Sequence, residues 1–342
     1  MKRIMRIKGN TSITTSLLIT LSILSLILIP SSARMIVNII LDKAVFAYGQ
    51  SSQMNSNSTN PLNLQDIPAK KVHVGDIDIA YKIFGKGDPI ILIGGVPLVM
   101  DAWPSSILQK LSSNHTIIIF DNRGVGNTTS GTRPFSIEQF ANDTNGLLST
   151  LQIHKADVLG FSVGSLIDQE LTLMHPEKVN KLMLYASDCG GKESVPPSPQ
   201  AGQEILSNPQ ALSAVIKNPM QTAKAFLPLL FPHKYISENP SFVPKFLTMF
   251  QTLKEIDPAP TITRQLQAIS NCTGTCKVLP RISNPTLVIT GTDDVTIPPA
   301  NSIIIAQKIP GSWLVQIKGG GHGLMYQYPD NFSRVLLTFL ET

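Results

Sequence analysis

The stretch that decides the fold is ADVLGFSVG, residues 156–164, in which a short apolar segment runs into a Gly-x-Ser-x-Gly pattern. Residues 163–175 follow with apolar side chains at helical spacing, which predicts a strand, a sharp turn and a helix. A Ser at such a turn is held in a strained backbone conformation, and the flanking glycines let strand and helix cross closely. The helix N-terminus adds unpaired N–H groups that favour negative charge. We therefore predict that Ser162 is a nucleophile at the carboxyl end of a sheet.

Strand-like and helical segments alternate on both sides of this turn. Eight strands rich in apolar residues are predicted, at residues 72–74, 77–84, 90–93, 116–120, 156–160, 182–185, 286–290 and 313–317. Helical patterns cover residues 103–111, 136–151, 163–175, 299–308 and 330–341. This alternation predicts an α/β fold with a doubly wound, mostly parallel eight-stranded sheet. Residues 188–275 interrupt it with many prolines and short amphipathic pieces, which we interpret as an inserted helical lid.

The N-terminal segment is typical of targeting sequences. Residues 1–47 combine basic side chains up to Lys8 with an apolar stretch from Leu17 to Ile29, which is short for a bilayer span. We favour a cleaved signal peptide over a retained membrane anchor, and either one predicts an exported protein, secreted or held at the outer face of the cytoplasmic membrane. Residues 48–68 are rich in Ser, Asn and Gln and predict a disordered linker before a domain at 69–342.

Charge and cysteine content narrow the classes of function. The net charge is +5, but residues 1–48 account for all of it, so the remaining chain is neutral and gives no sign of a nucleic-acid surface. The three cysteines are Cys189, Cys272 and Cys276. Their spacing predicts no zinc site. Cys272 and Cys276 could close a small disulfide loop, and buried reduced thiols are an equally good interpretation.

Four motifs together resemble the α/β-hydrolase superfamily over about residues 70–341. The first is the nucleophile elbow at Gly160–Gly164, and the second is the Asp-x-Arg-Gly-x-Gly turn at Asp121–Gly126 after the fourth strand. The third is the Gly-x-x-Asp turn at Gly291–Asp294, and the fourth is the glycine-rich His loop at Gly320–Gly323. The order Ser, Asp, His is the family's order.

The resemblance implies a catalytic triad. A Ser hydroxyl needs an adjacent base, and His322 lies in the glycine-rich loop after the last strand, so we expect it to activate Ser162. Asp294 occupies the position of the acid that orients the imidazole. Two rival acids remain: Asp293 is its immediate neighbour, and Asp188 follows the strand after the nucleophile helix, where some family members carry the acid. No metal is expected.

The oxyanion hole implied by the family consists of two backbone N–H groups. One belongs to Val163, directly after the nucleophile. The other is expected from Val96, in the loop after the third strand. That loop departs from the family pattern, because Gly94-Gly95-Val96 stands where the family usually has His-Gly-X.

These features predict a cofactor-free serine hydrolase that cleaves a small carboxylic ester or lactone through an acyl-enzyme intermediate. A cofactor-free haloperoxidase or perhydrolase of the same fold is an alternative. A serine peptidase is a weaker one, because no acidic cluster for a substrate amino terminus stands out in the lid. From another class, an inactive cell-surface binding protein is the competing interpretation. The oligomeric state is left open.

Overall fold

The computed structural model describes residues 61–96, 98–197, 219–251 and 259–342. The predicted signal peptide or anchor at 1–47 and most of the predicted linker lie outside these residues. Among the residues that the structure describes, no helix has the length and apolar character needed to span a bilayer.

The described part of the chain contains one eight-stranded sheet in the order β1-β2-β4-β3-β5-β6-β7-β8. Its first two strands form an antiparallel hairpin, β2 is antiparallel to β4, and the remaining pairs are parallel. The predicted fold class is therefore confirmed. The strands are β1 (Lys70–Val74), β2 (Ile77–Gly85), β3 (Asp88–Ile93), β4 (His115–Phe120), β5 (Ala156–Phe161), β6 (Val179–Tyr185), β7 (Thr286–Gly291) and β8 (Trp313–Ile317).

The central strands are apolar on both faces because both faces of the sheet are covered. Side chains alternate along a strand, so Ile91 and Ile93 pack into the core on one face, whereas Ile90 and Leu92 pack into the core on the other. The covering helices of the sheet are α1 (Ser105–Ser112), α2 (Ile137–Thr150), α3 (Val163–Met174), α8 (Pro299–Lys308), α9 (Leu324–Gln327) and α10 (Pro329–Leu340).

The first helix begins later than the apolar pattern predicted. Residues 103–111 were expected to be helical, but α1 begins at Ser105, and Trp103 is extended and buried. The cause is Pro104, because a residue before proline is disfavoured in the α conformation. The indole of Trp103 packs edge-on against Phe161 instead, with ring centroids 6.5 Å apart.

The disordered linker predicted at residues 48–68 extends too far into the chain. Residues 61–68 belong to the folded domain: Leu64–Asp66 form a 3₁₀ turn, and the Leu64 side chain is buried. The buried ammonium of Lys82 explains why this segment is folded. It donates to the Leu64 carbonyl oxygen at 2.8 Å and to Asp101 Oδ1 at 2.6 Å. A buried charge needs such partners, so the turn is held against the sheet.

Between β6 and β7, the described residues include four inserted helices: α4 (Pro219–Leu230), α5 (His233–Glu238), α6 (Phe242–Gln251) and α7 (Ala259–Ser270). Residues 198–218 and 252–258 of the predicted lid lie outside the described residues. Phe231 is the centre of an aromatic cluster, with ring centroids 4.7 Å from Phe242 and 4.8 Å from Phe246. Most of the lid aromatics therefore pack on one another.

A disulfide joins the two ends of this insertion. It pairs Cys189 with Cys276, whose Cα atoms are 5.2 Å apart, and Cys272 is the unpaired thiol. The expected alternatives, a Cys272–Cys276 loop or reduced thiols, are both wrong. A backbone hydrogen bond explains why Cys189 pairs with Cys276. The Thr275 N–H donates to the Cys189 carbonyl oxygen at 2.7 Å, which aligns the segments that carry the two cysteines.

The disulfide predicts a stability difference between cysteine variants. It closes a loop of 87 residues, and a cross-link that restricts the unfolded chain stabilises a protein by about 2–4 kcal/mol. We expect Cys189→Ser to lower the melting temperature and Cys272→Ser to leave it nearly unchanged. Calorimetry checks this, and non-reducing peptide mapping should link residue 189 to residue 276. Equal effects of both variants would contradict the pairing.

The Asp-x-Arg-Gly-x-Gly turn is a charged network that holds loops together. Arg123 is buried and donates to both carboxylate oxygens of Asp143 at 2.7 Å and to Asp76 Oδ1 at 2.8 Å. Asp76 also accepts from the backbone N–H groups of Thr132 and Arg133. Such bidentate pairing satisfies the buried guanidinium and fixes the loops that it contacts.

This network predicts an acid dependence of stability. Hydrogen bonding to Arg123 holds the pKa of Asp76 well below its ordinary value of 3.8. A carboxyl with a lowered folded pKa adds stability that is complete above its unfolded pKa and is lost as the pH falls towards the folded value. We expect Asp76→Asn to lower the free energy of unfolding at pH 7 and to flatten its decline below about pH 5.

Urea unfolding across pH measures this effect. The control is Asp78→Asn, which removes an exposed carboxylate paired with His73. If Asp76→Asn left the acid part of the stability curve unchanged, the network would not carry the stability that we assign to it.

Candidate active site

The turn between β5 and α3 places Ser162 in a left-handed backbone conformation. Its φ is 56° and its ψ is −120°, values that a residue with a side chain rarely adopts. Two hydrogen bonds hold the turn: the Ser162 N–H donates to the Tyr185 carbonyl oxygen, and the Ser162 carbonyl oxygen accepts from the Ser165 N–H, each at 2.9 Å. The elbow geometry that the sequence predicted is present.

The two glycines of the motif allow strand and helix to cross. A Cβ atom at Gly164 would lie 2.1 Å from the Ile93 carbonyl oxygen, and one at Gly160 would lie 2.5 Å from the Gly164 carbonyl oxygen. Neither contact is sterically possible. The close crossing of β5, α3 and the end of β3 therefore requires glycine at both positions.

Ser162, His322 and Asp294 form one hydrogen-bonded chain. The Ser162 Oγ is 3.0 Å from His322 Nε2, and His322 Nδ1 is 2.9 Å from Asp294 Oδ2. His322 and Asp294 are both buried, so the hydrogen bond between them is shielded from water, whereas Ser162 is half-buried and lines the cavity. This geometry allows the imidazole to take the Ser proton while the carboxylate stabilises the resulting positive charge.

Asp294 is fixed by the backbone as well as by His322. Its Oδ1 accepts from the N–H groups of Thr296 and Ile297 at 2.9 and 2.8 Å, so Oδ2 is left to face the imidazole. In the described structure, His322 Nδ1 bonds to Asp294 and to neither rival acid. Asp293 is exposed and accepts from the Thr292 hydroxyl, whereas Asp188 accepts from the Gly190 N–H.

The loop that carries His322 is held by residues that the sequence analysis missed. The Tyr185 hydroxyl donates to the His322 carbonyl oxygen, and burial raises the pKa of Tyr185 well above its ordinary value, which keeps the proton on this donor. The Gly321 N–H donates to Gln327 Oε1 at 2.7 Å, and the Gly323 N–H donates to the Leu230 carbonyl oxygen at 2.8 Å. The sequence contained one signal for this support: a buried tyrosine such as Tyr185 needs a hydrogen-bond partner for its hydroxyl.

Val96 and Val163, the expected oxyanion residues, line the same cavity as Ser162. Val163 is the first residue of α3, where a backbone N–H has no partner within the helix. The Gly94-Gly95 loop is held without the family's usual His: Asn122 Nδ2 donates to the Gly94 carbonyl oxygen at 3.1 Å. An amide from the neighbouring Asp-x-Arg-Gly-x-Gly turn thus fixes this loop.

A mostly apolar cavity of about 210 Å³ opens onto Ser162 and His322. Loops and helices that follow the strands form one side of it, and the inserted helices form the other. Its described walls include the side chains of Leu98, Phe161, Leu166, Ala223, Phe226, Leu229, Leu230, Leu266, Ile269, Ile297 and Tyr326, together with Asp188 and Thr296.

Comparison with known proteins agrees with this architecture. Residues 88–329 match the sequence profile of the alpha/beta hydrolase fold family. The chain belongs to this family. Over 270 residues it is 30% identical to a Mycobacterium tuberculosis protein provisionally named non-heme bromoperoxidase BpoC. The alignment covers 78% of this chain and 98% of BpoC.

Two further similarities cover comparable lengths. A provisionally named carbamate hydrolase, RutD, from Azorhizobium caulinodans is 27% identical over 269 residues, covering 78% of this chain and 96% of RutD. A solved alpha/beta hydrolase fold protein from Chitinophaga pinensis superposes with a TM-score of 0.69 at 25% identity, covering 81% of this chain and 98% of that one.

The fixed carboxylate predicts a severe defect for Asp294→Asn. Because two N–H groups hold the Oδ1 position, the amide oxygen must occupy it and the NH₂ group must face His322 Nδ1. The imidazole then carries its proton on Nε2 and cannot accept one from Ser162. We expect labelling of Ser162 by a fluorophosphonate probe to slow on the order of 10³–10⁴-fold.

The matched control is Asp293→Asn, which makes the same change on the adjacent exposed residue. Its labelling rate should stay within about twofold of wild type. If the two variants behaved alike, the assignment of Asp294 as the acid would be wrong.

Proposed function

We propose that this protein is a serine hydrolase that cleaves carboxylic esters or lactones through an acyl-enzyme intermediate. The observation that carries the proposal is the hydrogen-bonded chain of Ser162, His322 and Asp294, with distances of 3.0 and 2.9 Å, at the wall of an apolar cavity. Membership of the alpha/beta hydrolase fold family supports hydrolysis as the general chemistry.

In the proposed mechanism, Ser162 Oγ attacks the acyl carbonyl carbon while His322 Nε2 takes its proton. The N–H groups of Val163 and Val96 donate to the oxyanion, and Asp294 stabilises the imidazolium. The tetrahedral intermediate then expels the alcohol oxygen, which receives the proton from His322. A water molecule, activated by the same imidazole, hydrolyses the acyl-enzyme and restores Ser162.

Perhydrolysis is the second candidate, because a relative that is 30% identical is provisionally named a non-heme bromoperoxidase. In that reaction hydrogen peroxide replaces water as the nucleophile that attacks the acyl-enzyme, and a peracid leaves in place of the acid. The same Ser162 and His322 would serve both reactions, so the two functions differ only in the second nucleophile. Carbamate hydrolysis, the activity in the provisional name of RutD, would likewise use the same serine.

The deciding experiment measures hydrolysis of p-nitrophenyl esters from acetate to palmitate. We expect turnover that is highest for short acyl chains, because the cavity of about 210 Å³ is small. Ser162→Ala should lose on the order of 10⁴-fold or more in kcat. Ser333→Ala is the matched control, since it removes a buried hydroxyl from α10 that donates to the Pro329 carbonyl oxygen. It should retain turnover.

Two outcomes would change the proposal. Peracid formation from acetate and hydrogen peroxide that exceeds ester hydrolysis and requires Ser162 would favour the perhydrolase. A folded protein that neither turns over esters nor reacts with a fluorophosphonate would favour the inactive cell-surface binding protein. Localisation outside the cytoplasm, secreted or membrane-anchored, is proposed from residues 1–47 alone, and cell fractionation tests it.

A further inference from the structure

Asp188 stands out among the described residues that line the cavity. The other polar groups of the walls are already occupied: the Thr296 hydroxyl donates to the Leu229 carbonyl oxygen at 2.7 Å, and the Tyr326 hydroxyl donates to the Ala102 carbonyl oxygen at 2.9 Å. Ser162 and His322 bond to each other. The described walls therefore present one carboxylate in otherwise apolar or satisfied surroundings.

Only one oxygen of this carboxylate is bonded within the described structure. Asp188 Oδ1 accepts from the Gly190 N–H at 2.8 Å, and no described group donates to Oδ2. Burial raises the pKa of Asp188 above its ordinary value, because desolvation disfavours the charged carboxylate. Asp188 is half-buried, so Oδ2 is a free acceptor to which a bound molecule can offer a donor or a positive charge.

The backbone around Asp188 is rigidly held, so the carboxylate is positioned before any ligand arrives. Gln169 Nε2 donates to the Asp188 carbonyl oxygen at 2.8 Å. The next residue, Cys189, is joined to Cys276 and accepts from the Thr275 N–H. A recognition group is effective when its supports fix it in this way, because little ordering remains to be done on binding.

We propose that Asp188 recognises a protonated amine on the substrate, which makes amine-bearing esters or lactones the preferred substrate class. This rests on the proposed function in one respect, that the cavity beside Ser162 receives the substrate. An ammonium group supplies both the donor that Oδ2 lacks and the charge that neutralises the carboxylate. A hydroxyl supplies only the donor.

The competing explanation is that Asp188 acts on His322, with which it interacts electrostatically. In that case the residue would change the reactivity of Ser162 towards every ligand equally. Recognition of an amine instead predicts a difference between two ligands of the same shape. The test therefore compares n-hexylammonium with 1-hexanol.

The measurement is protection of Ser162 from fluorophosphonate labelling at pH 7.5, using the full chain. We expect n-hexylammonium to protect wild type at a concentration at least about tenfold lower than 1-hexanol. Asp188→Asn keeps the size of the side chain and an oxygen for the Gly190 N–H, and it should abolish this preference. Asp293→Asn, which removes an exposed carboxylate next to Asp294, should keep it.

Each result decides the proposal. A wild type that binds the two ligands equally overturns it, and this comparison depends on no variant. A preference that survives in Asp188→Asn overturns it as well. If wild-type Ser162 is not labelled at all, the proposed function fails, and thermal stabilisation of wild type and Asp188→Asn by the two ligands still tests amine recognition.

Discussion

The close crossing of β5, α3 and the end of β3 is the contact on which the rest of the site depends. Gly164 packs so tightly on the Ile93 carbonyl oxygen that no side chain fits between them. The crossing brings the loop after β3 beside the first turn of α3. Val96 and Val163, from segments far apart in the chain, consequently line the same cavity as Ser162. The positive φ of Ser162 is the local strain that this arrangement imposes.

Charge is used differently in the scaffold and in the site. In the scaffold, the buried cations of Arg123 and Lys82 are paired with carboxylates, which fixes the loops around them. In the site, Asp294 divides its two oxygens between backbone N–H groups and His322. Asp188 has one bonded oxygen and one that no described group satisfies.

The sequence predicted the sheet well because each buried strand is a short apolar run with local boundaries. The three residues that form the hydrogen-bonded chain were predicted because each lies in a glycine-containing turn directly after a strand. Contacts between distant segments left no such signal. The pairing of Cys189 with Cys276 depends on where α7 ends in space, and the support of Gly94 by Asn122 depends on the packing of two loops. Asp188 was identified as a rival acid from its position after a strand, but its surroundings could not be deduced from the sequence.

The Cys189–Cys276 bond also fixes where the insertion is attached, whatever the chain between the two cysteines contains. The bond ties together two positions that are 87 residues apart in the sequence, so the helices between them have fixed attachment points. The free energy of closing a loop rises only slowly with its length, and here the closure is already covalent. A change in the length or composition of the chain between these two cysteines therefore leaves its attachment points in place, whereas Leu230 within it must keep its contact with the Gly323 N–H, which holds the His322 loop.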